Sequence, residues 1–155
     1  MSTTHSIGIA EIRVVVAPDK VRTTLGSCIG VALFDRSAHI GGMAHVLLPS
    51  SEGGKGDRGK FADTAVDWLL EEVLKVGDAK PRLAAKIAGG AAMFGPNADN
   101  GLGERNAEAL RKQLASHGIR VAAQEVGGQK GRRMLLDPST GVVEIQVIGA
   151  QPITL

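Results

Sequence analysis

Gly26-Ser27-Cys28-Ile29-Gly30-Val31-Ala32-Leu33-Phe34, then Asp35-Arg36-Ser37-Ala38, then His39-Ile40-Gly41-Gly42-Met43-Ala44-His45-Val46-Leu47-Leu48: two mostly apolar runs flank a polar break. Strand-like runs closed by turn residues predict a β-hairpin. Whether its loop is Arg36-Ser37 or Asp35 to Ala38, an unbulged register makes Cys28 and His45 direct cross-strand partners. Their side chains then leave one face with Cβ atoms roughly 4.5–5.5 Å apart. Gly41-Gly42 is where a bulge would break that register. Cys28 is the sole cysteine, which excludes an internal disulfide and a Cys-rich zinc site. A thiol beside an imidazole is an activated nucleophile. The same two residues also read as a small buried hydrophobe and a satisfied core histidine. Residue chemistry alone leaves both readings standing.

Outward from the hairpin, the chain alternates strand and helix signals. Ile7, Ile9, Ile12, Val14 and Val16 predict a half-buried strand from His5 to Val16, with an interruption near Ala10-Glu11. Lys20 to Leu25 is a short extended approach to Cys28. Gly26 suits an oxyanion-binding loop as well as a plain tight turn. Ser50 to Lys60 is Gly-rich and polar, a connector or a lid. Phe61 to Val76 reads as an amphipathic helix with Ala62, Ala65, Val66, Leu69, Leu70, Val73 and Leu74 on one face. Trp68 borders that face, Glu71 and Lys75 are spaced to pair, and Gly77 is placed to stop the helix. Arg82 to Ala88 is a strand, and Gly89 to Gly95 a glycine loop without the Lys-Ser/Thr of a phosphate-binding loop. Asn97 to Gly103 is another loop. A second helix runs from Glu104 to His117, with His117 in a capping position before Gly118. Ile119 to Val126, Arg132 to Asp137 and Val142 to Ile148 are strands, the last two joined by Asp137-Pro138-Ser139-Thr140-Gly141.

This order predicts one α/β domain over residues 1–155, with a mixed, largely antiparallel sheet, two main helices and no internal repeat. Three Phe, one Trp and no Tyr argue against base stacking, and a net charge of +2 is too small for a phosphate-binding footprint. Lys130, Arg132 and Arg133 read as a solvated surface loop. No stretch has the length of a membrane span or the pattern of a signal peptide, so the expectation is a cytoplasmic protein without membrane insertion.

Thr23-Thr24-Leu25-Gly26-Ser27-Cys28-Ile29-Gly30-Val31 and Met43-Ala44-His45-Val46-Leu47-Leu48-Pro49 resemble the CheD family of chemoreceptor glutamine deamidases. The likeness continues in order through Lys60 to Val66, Lys86 to Ala91, Gly103-Glu104-Arg105-Asn106 and Glu125-Val126-Gly127-Gly128. It implies a three-layer α/β/β fold related to deamidating toxin catalytic domains. It also implies a protein-glutamine glutaminase acting on the cytoplasmic domain of methyl-accepting chemotaxis receptors, without metal or organic cofactor. Cys28 is then the nucleophile and His45 the general acid and base. A threonine shortly before the cysteine orients the histidine; Thr23 is our assignment, with Thr24 the alternative. The family also implies a CheC-type phosphatase as a partner. A non-catalytic adaptor and a broader cysteine hydrolase are the competing functions.

Overall fold

In the computed structural model, residues 1–54, 56–77, 82–95 and 100–155 are described. The hairpin organises them. β4 (Ile29–Asp35) and β5 (Ile40–Val46) pair antiparallel and are buried along their whole length. Burial on both faces explains why their sequence runs apolar rather than alternating. Ile29, Val31 and Leu33 face one core; Ala32 and Phe34 face another.

The first core lies under two helices, α1 (Ala62–Lys75) and α2 (Leu102–Ser116). Ala62, Ala65, Val66, Leu69 and Val73 of α1 and Ala107, Leu110 and Leu114 of α2 close over it. Fully burying each large side chain among them contributes about 1.5–3 kcal/mol. α1 stops at Val76-Gly77, with Gly77 at φ +104°, as its sequence predicts. Lys75 pairs with Glu72, however, and Glu71 is held instead by Arg58 across 13 residues, so the expected Glu71–Lys75 pair does not form. The guanidinium of Arg58 also lies over the ring of half-buried Trp68.

The second core lies between two five-stranded sheets. The hairpin sheet adds β2 (Ile12–Val16), β6 (Ala84–Gly89) and β7 (Arg120–Val126) in the order β2-β5-β4-β6-β7. The other comprises β1 (Thr4–Ser6), β3 (Lys20–Leu25), β8 (Arg132–Asp137), β9 (Val142–Val147) and β10 (Ile153–Thr154) in the order β1-β3-β8-β9-β10. Among the strand pairs of the described residues, β1–β3 and β6–β7 run parallel and the others antiparallel. The result is the expected three layers, helices on one sheet and that sheet on a second. The single strand expected from His5 to Val16 is two strands in different sheets. The chain crosses between them at Gly8–Glu11, where Ala10 takes φ +68°. Alternation reports burial on one side and is blind to which sheet a strand joins.

The register differs from the sequence expectation. The loop is Arg36 to His39 and Asp35 is the last paired residue, so His45 stands opposite Gly30, not Cys28. One carboxylate oxygen of Asp35 accepts from Ser37 N–H, Ser37 Oγ–H and Ala38 N–H, while Arg82 reaches the other. Those partners keep an acid at a buried strand end. No bulge forms at Gly41-Gly42. A Cβ on Gly42 would stand 2.8 Å from Leu69 Cδ1, and one on Gly41 2.9 Å from Leu136 Cδ2. These glycines let α1 and the second sheet approach from opposite sides.

Ser50 to Lys60, Lys55 lying outside the described residues, is tied down as a connector. Ser51 donates to Asp63, and Asp57 caps a short 3-10 turn, Arg58–Lys60. Of the expected loop Asn97 to Gly103, residues 97–99 lie outside the described residues.

Candidate active site

Thr23 and His45 meet between the sheets, in the layer that also holds Cys28; among the described residues no hydrogen bond joins Cys28 to His45. Val21, Thr23 and Leu25 form the inward face of β3, whereas Thr24 is exposed on the outer face. His45 projects inward from β5, on the same face as Met43. Cys28 precedes β4 by one residue and packs into the inter-sheet core with Leu25, Ala32, Met43 and Met134. The corrected register shifts the pairing by two positions, and an even shift preserves the face. Cys28 lies one residue before the paired stretch and is therefore not a direct partner of His45.

The hydrogen bonds define the histidine's state. Thr23 Oγ1 lies 2.8 Å from the carbonyl of Ile7 and 2.7 Å from His45 Nδ1. A hydroxyl has one hydrogen, and a carbonyl only accepts. Thr23 thus donates to Ile7, and His45 Nδ1–H donates to Thr23. This network assigns the Nδ1–H tautomer and leaves the lone pair on Nε2. Nε2 is buried and has no hydrogen-bond partner among the described residues. An unpartnered buried acceptor is costly unless it has work to do.

Burial holds the His45 pKa below the usual imidazole value, partly opposed by the negative charge of Glu11. Burial also pushes the Cys28 thiol above its ordinary value. Both effects favour a neutral thiol and a neutral imidazole over a preformed ion pair.

The glycine loop after β6 fixes the backbone of Cys28. Gly90 N–H donates to the Cys28 carbonyl at 2.9 Å, and Ala91 N–H to that of Gly26 at 3.0 Å. Gly89 has φ +112°, and a Cβ there would stand 2.3 Å from the Cys28 oxygen. Only glycine fits. Among the described residues, the N–H groups of Ser27 and Cys28 donate to no protein acceptor.

Three contributors lay beyond the sequence reading. Arg132, expected on a solvated loop, is 2% exposed: its guanidinium binds the Glu125 carboxylate and the carbonyls of Gly127 and Lys130. That fixes the 127–128 turn, whose Gly127 N–H and Gly128 carbonyl bond Gly89 and Ala92 in the loop behind Cys28. Asn106, fully buried in α2, donates to the Leu47 carbonyl just past His45. The Ile7 carbonyl carries no side-chain signal at all. His117 plays the expected structural part, closing α2 and bonding Asp67 of α1 at 2.6 Å.

His45 and Thr23 open on a cleft of about 460 Å³, also lined by Arg22, Thr24, Arg133 and the Ser6–Ile9 segment. Met93 and Ile148 pack over the backbone of Gly131, Met93 also over Gly26, and with Phe94 they are 47%, 68% and 95% exposed. They form an apolar rim beside the Cys28 loop.

The family model described as CheD chemotactic sensory transduction matches residues 47–147. The full-length relatives extend the likeness over the site. A probable chemoreceptor glutamine deamidase CheD of Geobacillus kaustophilus is 46% identical, covering 94% of each chain. A protein of the same name from Methanococcus vannielii is 42% identical over 90% of this chain and 92% of its own. A third, from Geobacter metallireducens, is 43% identical over 99% and 98%. A solved Neisseria meningitidis protein superposes with a TM-score of 0.41 at 12% identity, covering 83% of this chain and 63% of that one. No described helix is long and apolar enough to cross a membrane.

Proposed function

This chain belongs to the CheD family, and from that premise we propose that it hydrolyses the side-chain amides of particular glutamines on chemotaxis receptors to glutamates, through Cys28 and His45. The observation that carries the reading is the histidine: a buried imidazole oriented by Thr23 whose Nε2 has no partner of its own. Buried polar atoms of structural use are in most cases satisfied, so an imidazole held at Nδ1 with Nε2 open supports a chemical role.

The chemistry follows from the protonation states. With thiol and imidazole both neutral, the Cys28 proton leaves for His45 Nε2 as the sulfur attacks the glutamine carboxamide carbon. The S–C bond forms, and the oxygen of the tetrahedral adduct takes the negative charge within reach of the Ser27 and Cys28 amides. Nε2 returns the proton to nitrogen, the C–N bond breaks, and ammonia departs from a thioester. Water then attacks the thioester, giving its proton to His45. The S–C bond breaks, the thiol is restored, and glutamate is released. Each turnover consumes one water and no other reactant.

The apolar rim of Met93, Phe94 and Ile148 suits a protein substrate docking beside the nucleophile loop, and the receptor's cytoplasmic domain is the occupant this reading assigns. Such work places the protein in the cytoplasm. An adaptor would have no use for a polarised histidine, so the site favours the enzyme. Incubation with a receptor cytoplasmic fragment, followed by mass spectrometry, should show Gln-to-Glu conversion at defined sites; an unmodified fragment would refute the assignment.

A further inference from the structure

The peptide group linking Ile7 to Gly8 is bonded at both ends. Its carbonyl accepts the Thr23 hydroxyl at 2.8 Å, and its N–H donates to Glu11 Oε1 at 2.5 Å. Thr23 in turn accepts from His45 Nδ1. A continuous chain thus runs from the Glu11 carboxylate through one peptide and one hydroxyl to the imidazole. Every hydrogen in it points toward the carboxylate. Bonds aligned this way polarise one another.

We infer that Glu11 is a positioning residue whose carboxylate acts on His45 through the Ile7–Gly8 peptide and the Thr23 hydroxyl, stabilising the imidazolium formed when Cys28 gives up its proton. The inference rests on the proposed function for the step it serves. It assigns to a peptide the place that a directly bonded carboxylate holds in a Ser-His-Asp triad.

The local structure is built to hold this path. Glu11 accepts the His45 N–H through its own carbonyl at 3.2 Å, and Ala10 N–H donates to the His45 carbonyl at 2.9 Å. Glu11 N–H closes the turn on Gly8 at 3.2 Å. The acid is therefore anchored by its backbone beside the histidine it serves. Other charged groups cannot take its place. Arg22 of β3 and Arg133 of β8 line the same cleft and are cationic, as is Arg13 of β2, which stands opposite Met43 on the face that carries His45. Glu11 is also the one charged group found to raise the His45 pKa against burial. A turn closed by a side chain needs an acceptor, not a charge, and glutamine would serve equally.

That difference makes the test. The pKa of His45 is measured by NMR in the full chain for wild type, Glu11→Gln, Thr23→Val and the double variant. Glu11→Gln keeps the acceptor and removes the charge. It should lower the His45 pKa by on the order of a few tenths of a unit, the scale of a solvent-screened carboxylate. The acid limb of kcat/KM should move down with it. In the Thr23→Val background the same change should do nothing, because the path is cut. An equal shift in both backgrounds shows a field acting directly through space and overturns the relay, as does no shift in either. Should Thr23→Val not fold, Glu11→Asp replaces it: the charge stays but falls one methylene short of Gly8, and the relay demands a lowered pKa there too. The titration needs no substrate. A wild type that fails to deamidate receptors therefore refutes the functional reading while leaving this result legible.

Discussion

Thr23 Oγ1 sits 2.7 Å from His45 Nδ1, and because its own hydrogen is committed to Ile7 it accepts from the imidazole. Thr23→Val keeps the shape but strands Nδ1–H and the Ile7 carbonyl, a loss of about 1–3 kcal/mol. Deamidation should fall by roughly 10- to 100-fold as the ring loses its fixed tautomer. Thr23→Ser should recover most of the rate. Thr24→Val, which removes a hydroxyl bonded to neither His45 nor Ile7, should cost far less than Thr23→Val. Equal losses at both threonines, measured on well-folded proteins, would contradict the assignment.

Cys28 is the only thiol, so an acyl adduct has one place to form. Cys28→Ala should abolish turnover and keep the fold, since a small buried side chain is replaced by a smaller one. His45→Ala should lower the rate by roughly 10²–10⁴. It should also slow Cys28 alkylation near neutral pH, when Nε2 no longer takes the thiol proton. Turnover retained by folded Cys28→Ala would falsify the thioester mechanism.

Much of this arrangement can be read from sequence, and its failures have physical causes. The hairpin shows because apolar runs and turn residues are local signals. Its register does not, because, beside the local bonds of Ser37 and Ala38, Asp35 is held in the strand by Arg82, 47 residues away. The parity of the offset kept Cys28 and His45 on one face, although the direct partner of His45 is Gly30. Arg132 reads as surface because a charged residue near a glycine turn usually is solvated. Its carbonyl partners at Gly127 and Lys130 come from backbone conformation, which composition does not report. Glu11 escaped notice for a similar reason: it meets His45 through a peptide, and peptides have no letter.

Arg132 offers a stability test of that buried pairing. Arg132→Ala removes the cation and leaves the Glu125 carboxylate and three carbonyls, of Glu125, Gly127 and Lys130, without it. Losing one partner of a buried ion pair costs about 3–5 kcal/mol; Glu125 is partly exposed, so the lower end is expected here. Arg132→Lys should recover little, because one ammonium cannot match the fork. Urea denaturation measures the loss. Deamidation should decline beyond it, since the 127–128 turn braces the loop behind Cys28.

The pH dependence follows from the two buried groups. His45 titrates below its usual value of 6.5, so kcat/KM should rise through a pKa under about 6.5 and stay level across neutrality. Cys28 lies above its ordinary 9.0, so iodoacetamide should react slowly at neutral pH and speed up only in strong alkali. For stability, the unfolded chain binds the histidine proton first as pH falls below about 6.5, so His45 makes folding less favourable there. At the other end, the unfolded thiol ionises first above about pH 9 and again favours unfolding. Wild type should therefore lose unfolding free energy relative to His45→Gln as pH falls from neutrality to about 5. A fast-reacting Cys28 at pH 6 would instead reveal a preformed thiolate and overturn the neutral-pair account.

The apolar rim makes a prediction about binding as opposed to chemistry. Met93, Phe94 and Ile148 border the Cys28 loop and touch none of Thr23, Cys28 or His45 through a hydrogen bond. If a receptor segment docks there, Phe94→Ser and Ile148→Ser should each raise KM for the receptor fragment with kcat held. Losing an aromatic anchor of an interface costs roughly 1–2 kcal/mol, or about 5- to 30-fold in affinity. The loss should fall on uniform binding, which moves KM alone. Alkylation of Cys28 by iodoacetamide serves as the control, because a small reagent has no use for the rim and should react at the wild-type rate. A fall in kcat together with altered alkylation would mean that the rim shapes the nucleophile loop itself, and docking would have to be sought on the Arg22–Arg133 side of the cleft.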